Sequence, residues 1–288
     1  MKKNTLPILA LLAAGASTGA FAADVSLAST PWTTTGQSGS IGGTSTVPVS
    51  PTGNTQQGYV TTAGGVTGVS PLVLKNEGEG SQNQTNGSRV LSGSFSAGAG
   101  DTLTLYFNYV STDGRGYDDY AWARLVSATT QDTAAWLFTA RSTNSANGNV
   151  VPGNALKRQV DNSLPDELDA VLNDGNTINF GVAGTDWAPL EFSSGICWDS
   201  ANTCGPTGWI KSAYSFASAG TYQLEFGVIN WGDEAYDSGL AFDFAGLSGA
   251  RFGGDSGPLA PVPEPESYAM LLAGLGVLAR ARRRLTRS

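Results

Sequence analysis

The feature that most constrains this chain is a set of short runs in which every second residue is apolar. Thr221-Tyr-Gln-Leu-Glu-Phe-Gly-Val-Ile229 is the clearest: Tyr222, Leu224, Phe226 and Val228 all point one way. A period of two puts one face of a strand on a core and the other away from it. Arg89–Phe95, Leu103–Val110, Ala121–Val126, Ala134–Arg141, Ile178–Ala183, Gly208–Phe216 and Gly239–Phe244 read as further strands. Turns such as Ala97-Gly-Ala-Gly-Asp101 and Ala219-Gly220 separate them. Short strands at this spacing predict an antiparallel β-sandwich rather than an α/β fold.

One helical excursion interrupts the pattern. Ser163 caps Ser163–Leu172, Pro165 sits in its first turn, and Asp166 and Glu167 suit its positive end. Leu164, Leu168 and Leu172 share a face that covers a sheet edge or core opening. Residues 24–70 are rich in Gly, Ser, Thr and Pro and read as partly extended, with a first strand near Trp32 and an edge strand near Tyr59–Thr62. The sandwich is therefore expected over 71–247, followed by a glycine-rich linker at 248–260.

Both ends carry addresses. Lys2 and Lys3, an apolar run from Leu6 to Ala16, and Ala20-Phe-Ala22-Ala23 predict a secretory signal helix over 1–23, cut after Ala22 or Ala23. At the other end, Pro263-Glu264-Pro265 precedes an apolar run from Tyr268 to Ala279 and a basic cluster at Arg280, Arg282, Arg283 and Arg284. Pro-Glu-Pro, apolar run and arginines in that order resemble the PEP-CTERM sorting signal of bacterial surface proteins. The resemblance covers 261–288. It implies export by the secretion machinery, transient inner-membrane anchoring by a short hydrophobic helix, and processing by an exosortase. Release to the cell surface or matrix, often alongside exopolysaccharide, would follow. The arginines suit a cytoplasmic end, and the prolines keep Glu264 in extended backbone. The apolar run has 12 residues, roughly 18 Å of helix against roughly 30 Å of hydrocarbon, so the anchor is a weak one.

Cys197 and Cys204 are the only cysteines, and in an exported chain they are expected to form a disulfide. Residues 24–260 hold nine basic and 22 acidic residues, a net charge of −13, which disfavours nucleic acid and anionic lipid and favours cations. The chain has no histidine, which removes Ser-His-Asp, Cys-His and histidine-ligated zinc chemistry. Gly254-Asp-Ser-Gly257 imitates a serine-protease nucleophile motif but lies in the linker and has no base to serve it.

Two hairpins share a Phe-x9-Tyr-Asp pattern: Phe107 to Tyr117-Asp118, and Phe226 to Tyr236-Asp237. From about 100 to 245 the wording around them also resembles a group of largely uncharacterised PEP-CTERM cargo proteins, and more broadly the jelly-roll adhesion and sugar-binding modules of secreted proteins. That implies a jelly-roll-like sandwich and no known catalytic residues. Asp113, Asp118, Asp119, Asp233, Glu234 and Asp237 crowd the two loops, with Asp243 in the next strand. If the hairpins pack side by side, four to six carboxylates could converge on Ca²⁺. The alternative is that they fix turns through their own backbone and stay solvated. Trp187, Trp198 and Trp231 fall in loops, where they either stack on sugar rings or lid the core. Trp122, Trp136 and Trp209 read as core.

The expectation is thus a non-enzymatic surface or matrix protein associated with exopolysaccharide, requiring no cofactor, with Ca²⁺ the one candidate ion. A carbohydrate hydrolase using paired carboxylates is the alternative. Asp118 and Asp119 are adjacent and would face opposite ways on a strand, so no acid–base pair stands out.

Overall fold

The computed structural model describes residues 32–72, 84–114, 117, 119–141, 151–152, 169–173, 184–199 and 203–247. Their alternating runs form two antiparallel sheets. The first takes the order β1 (Thr33–Thr35), β5 (Gln84–Leu91), β14 (Gly220–Trp231), β8 (Tyr120–Ser127), β9 (Thr133–Arg141), β10 (Val151–Pro152), with β4 (Val66–Thr67) and β6 (Phe95–Ala97) added beside β5 and β14. The second runs β11 (Val171–Asn173), β13 (Ile210–Ser215), β7 (Thr102–Ser111), β15 (Ser238–Leu247), β3 (Gln56–Thr61), β2 (Gln37–Gly42), with β12 (Gly205–Pro206) beside β7. The eight principal strands therefore lie as 5-14-8-9 against 3-15-7-13, with successive strands alternating between sheets except at the β8–β9 pair, in the manner of a jelly roll.

The period of two explains the core. Leu103, Leu105, Phe107 and Tyr109 from β7 meet Leu224, Phe226 and Val228 from β14, Ala121, Ala123 and Leu125 from β8, and Leu240, Phe242 and Phe244 from β15. Phe226 stacks on Phe242 at 4.1 Å and Phe107 on Phe138 at 4.6 Å. The opposite faces are also partly covered. Trp122, Trp136, Ile229 and Trp231 gather with Val69 and Leu72 outside the first sheet, and Trp187 and Leu190 with Val47, Val110 and Ala241 outside the second. Trp122 and Trp136 are buried as expected, but in this outer layer; Trp209 is half-buried beside the other one, its indole N–H donated to Pro48 O at 2.8 Å. Trp122 lies flat on Gly227, where an added Cβ would stand 2.1 Å from its ring, so only glycine fits.

Several sequence expectations change. The described part of 24–70 is built into both sheets: the chain crosses from β1 to β2 at Gly36, and β3 is an interior strand between β15 and β2 rather than an edge. Its Gly- and Thr-rich sequence hides this, because small polar side chains give no alternation to read. Val171 and Leu172, the end of the expected helix, instead form β11 together with Asn173, antiparallel to β13, since the free edge of β13 offers backbone partners there. Residues 163–168 of that helix, the strand at 178–183, the signal, the linker and the tail lie outside the described residues. The two repeated units are not hairpins. β7 and β8 belong to different sheets, as do β14 and β15, so each loop arches over the end of the sandwich. Because β7 pairs with β15 and β8 with β14, the two arches lie side by side.

Candidate functional site

The arches 112–119 and 232–237 share one end of the sandwich with a 3-10 segment, Ala188–Ser193, and the loop closed by Cys197–Cys204. The disulfide forms as expected, with Cα atoms 5.6 Å apart. Thr112 joins these pieces. Its N–H and hydroxyl both donate to Asp237 O, at 3.2 and 2.8 Å, while its carbonyl accepts from Trp198 N–H at 2.9 Å and contacts Cys204 Sγ at 3.1 Å. Gly114, at φ 89°, lets the disulfide loop sit down: an added Cβ would lie 2.7 Å from Asp199 Cβ and 2.9 Å from Thr203 Oγ1.

The structure brings Asp113, Asp119, Asp233 and Asp237 into one neighbourhood, close enough that the charges of Asp233 and Asp237 raise the proton affinity of Asp113 and Asp119. Burial pushes Asp113 up to about 9, helped by the charges of Asp119, Asp233 and Asp237. Burial likewise pushes Asp119 up to about 8, against hydrogen bonds from Ser238 Oγ at 2.7 Å and Trp231 N–H at 2.8 Å that favour its anion. Asp237 is also raised by burial, although Ser193 and Thr62 hydroxyls donate to it at 2.8 and 2.9 Å. Asp233 is exposed and accepts from Ala235 N–H, the self-fixed turn that was the alternative reading; Glu234 is exposed beside it. Asp118 lies outside the described residues. Asp243 does not join the group. It faces the outside of the second sheet and accepts from Ser50, Thr52 and Asn54 side chains, which fasten the β2–β3 loop. Among the described residues no three His, Cys, Asp or Glu side chains converge closely enough to hold a metal ion by themselves.

The three candidate sugar-stacking tryptophans separate. Trp187 is 0 % exposed and Trp231 5 %, so both are core rather than surface. Each continues an outward strand register or covers a glycine: Trp231 follows Ile229 along β14, and Trp187 lies over Gly239. Trp198 is 51 % exposed. Its ring stacks on Tyr236 at 4.7 Å and 25°, and its indole N–H donates to Tyr117 Oη at 3.0 Å. Tyr236 adopts φ 59°, a left-handed conformation uncommon for a bulky residue. Phe192, 90 % exposed, stands on the same rim, next to the Ser193 that bonds Asp237. Sequence reasoning missed Tyr117, Phe192 and Tyr236 as surface aromatics; the Phe-x9-Tyr-Asp repeat marks both tyrosines, but their partner Trp198 comes from a distant loop.

A cleft of about 260 Å³ opens on the outer face of the first sheet, lined by Thr33, Thr35, Arg89, Arg124, Gln131 and Glu225. Glu225 is its single carboxylate. Arg124 Nε and Nη2 donate to it at 2.7 and 3.0 Å, Trp122 Nε1 at 3.1 Å, and Arg89 lies 3.6 Å away.

No helix among the described residues is long and apolar enough to cross a membrane. Searches of curated proteins and of solved structures give no match to the chain. Residues 261–285 match the family model of the PEP-CTERM protein-sorting motif, which implies export and exosortase processing. The tail of this chain is therefore a PEP-CTERM sorting signal, and the jelly roll is the cargo it addresses.

Proposed function

We propose that this protein is a non-enzymatic cell-surface or matrix component that binds exopolysaccharide through the aromatic shelf of Trp198 and Tyr236. The observation that carries the reading is the exposed stack itself. A ring covered on one face by Tyr236 and still 51 % exposed offers its other face to a pyranose. The disulfide loop, the Tyr117 hydrogen bond and the Thr112 junction hold that ring in place before any sugar arrives, which reduces the ordering cost of binding. The sorting motif supplies the location in which such a ligand is met.

Two features favour this over a carboxylate hydrolase. The buried Asp113 and Asp119 lie under the arches instead of facing each other across an open groove, and the described cleft holds one carboxylate already paired with arginine. The test is retention of the exported protein on a column of exopolysaccharide from its own producer, with tryptophan fluorescence as a second readout. Trp198→Ala should weaken binding by about tenfold or more, ~1.4 kcal/mol, without lowering the melting temperature. Wild-type protein that passes unretained, with an unchanged spectrum, would sink the proposal.

A further inference from the structure

The inward-facing registers of four central strands all end on polar residues at the arch end. β7 runs from Leu105, Phe107 and Tyr109 to Ser111 and then Asp113; β14 runs from Leu224, Phe226 and Val228 to Asn230. β8 begins just after Asp119, and β15 begins at Ser238. The apolar core therefore gives way, between the sheets, to a polar pocket in which Ser111, Asp113, Asp119, Asn230 and Ser238 are all 0–2 % exposed.

Much of this pocket is satisfied within itself. Ser238 Oγ accepts from Tyr109 Oη at 3.3 Å and donates to Asp119 Oδ2 at 2.7 Å, and Trp231 N–H donates to Asp119 Oδ1 at 2.8 Å. Asp113 Oδ1, Asn230 Oδ1 and Asn230 Nδ2 have no partner. The Asn230 amide lies against Asp237 and favours its anion. Native interiors rarely leave such atoms unpaired, because each buried unpaired group is costly. A water molecule could satisfy Asn230 but would bring no positive charge to a pocket flanked by the carboxylates of Asp113, Asp119, Asp233 and Asp237. A cation does both. With no histidine in the chain and both cysteines in a disulfide, only hard oxygen donors remain.

We infer that a calcium ion binds between the 112–119 and 232–237 arches, with Asp113 Oδ1 and Asn230 Oδ1 as protein ligands and the neighbouring carboxylates balancing its charge. Since no three carboxylates among the described residues converge on a point, the shell is a mixed one, completed by backbone carbonyls or water as Ca²⁺ accepts readily. The ion would lock together the two arches that carry Tyr117 and Tyr236. The inference stands independently of any glycan.

The experiment uses the exported protein stripped with EDTA and titrated with CaCl₂, followed by calorimetry and thermal unfolding. One ion per chain is expected, with the melting temperature rising by about 5–10 °C once free Ca²⁺ exceeds its Kd about a hundredfold. Asp113→Asn and Asn230→Ala should each weaken binding by about tenfold or more. Should either variant fail to fold, the wild-type titration decides, with Tb³⁺ luminescence sensitised by tryptophan as a second readout. No binding heat and no melting shift at about 10 mM Ca²⁺ overturns the inference, as does an undiminished response in Asp113→Asn. An EDTA-treated Asp113→Asn protein that outlasts a wild type indifferent to Ca²⁺ would identify Asp113 as a neutral buried acid and overturn it too.

Discussion

Asp113 and Asp119 give cation-free protein a pH dependence opposite in sign to that of a salt-bridged carboxylate. An unfolded aspartate titrates near 4, whereas burial raises these two to about 9 and about 8 in the fold. Between those values the folded chain holds protons that the unfolded chain has released. Their contribution is fully present below about pH 4 and is lost as pH rises through 8 to 9. In EDTA, the wild-type melting temperature is expected to fall by ~5 °C or more between pH 5 and 9 relative to Asp113→Asn. Two parallel melting curves would contradict the assignment. The acidic residues of this site were legible in the sequence because Asp is uncommon next to a strong strand and the repeat marks both loops. Asn230 and Ser238 were not, because each reads as an ordinary strand end until its register is known. Trp187 and Trp231 misled for a related reason: lying near a loop says nothing about which face a ring is on. Trp231 keeps the outward register of Ile229 and is buried with it.

At the scale of elements, the arch end depends on one covalent link, and the cleft on Glu225 with its pairs to Arg124 and Arg89. Without the Cys197–Cys204 bond, the contacts that hold Trp198 among the described residues are those with Tyr117, Tyr236 and Thr112. Replacing both cysteines with serine should cost about 2 kcal/mol and shift tryptophan emission to the red as the shelf loosens. An unchanged spectrum would mean that the disulfide does not position the ring. Glu225 sits 2 % exposed beneath Arg124 and the Trp122 N–H. Glu225→Ala takes the counter-ion from a largely buried guanidinium, whose Nη1 still donates to Thr133 Oγ1, and leaves an indole N–H unpaired, so a loss of about 3 kcal/mol in denaturant unfolding is expected. A loss under ~1 kcal/mol would show that solvent compensates both donors through the cleft. The strands β7, β8, β9, β14 and β15 could be read directly, since their inward positions are large and apolar. The arches could not: an eight-residue loop between two such strands fits a hairpin or a crossover equally well, and only the pairing of β7 with β15 and β8 with β14 decides it. β2 and the interior place of β3 were obscured because Gly, Ser and Thr fill positions whose register is dictated by their partners. The Leu172 end of the expected helix was drawn instead into pairing with β13.

For the whole molecule, sorting and folding should be separable. Every strand of both sheets described lies between Thr33 and Leu247, whereas the PEP-CTERM motif occupies 261–285. A chain truncated after Leu247 is therefore expected to keep its melting temperature within about 1 °C while losing any membrane-associated stage of export. As a helix, the 12-residue apolar run would reach roughly 18 Å, short of the roughly 30 Å hydrocarbon core, so residence is expected to depend on Arg280, Arg282, Arg283 and Arg284 staying on the cytoplasmic side. Replacing these four by serine should let the chain pass without a membrane-bound intermediate, visible in fractionation as loss of the pelleted precursor. Intact-mass measurement of the exported wild type then reports both ends at once. A start at Ala23 or Asp24 and loss of residues beyond the Pro263-Glu264-Pro265 region are expected. Recovery of the same protein from the cytosol with both termini intact would remove the surface location, and with it the setting for a polysaccharide ligand. The jelly roll and its calcium-binding prediction would still stand to be tested on their own, because neither depends on where the chain is delivered.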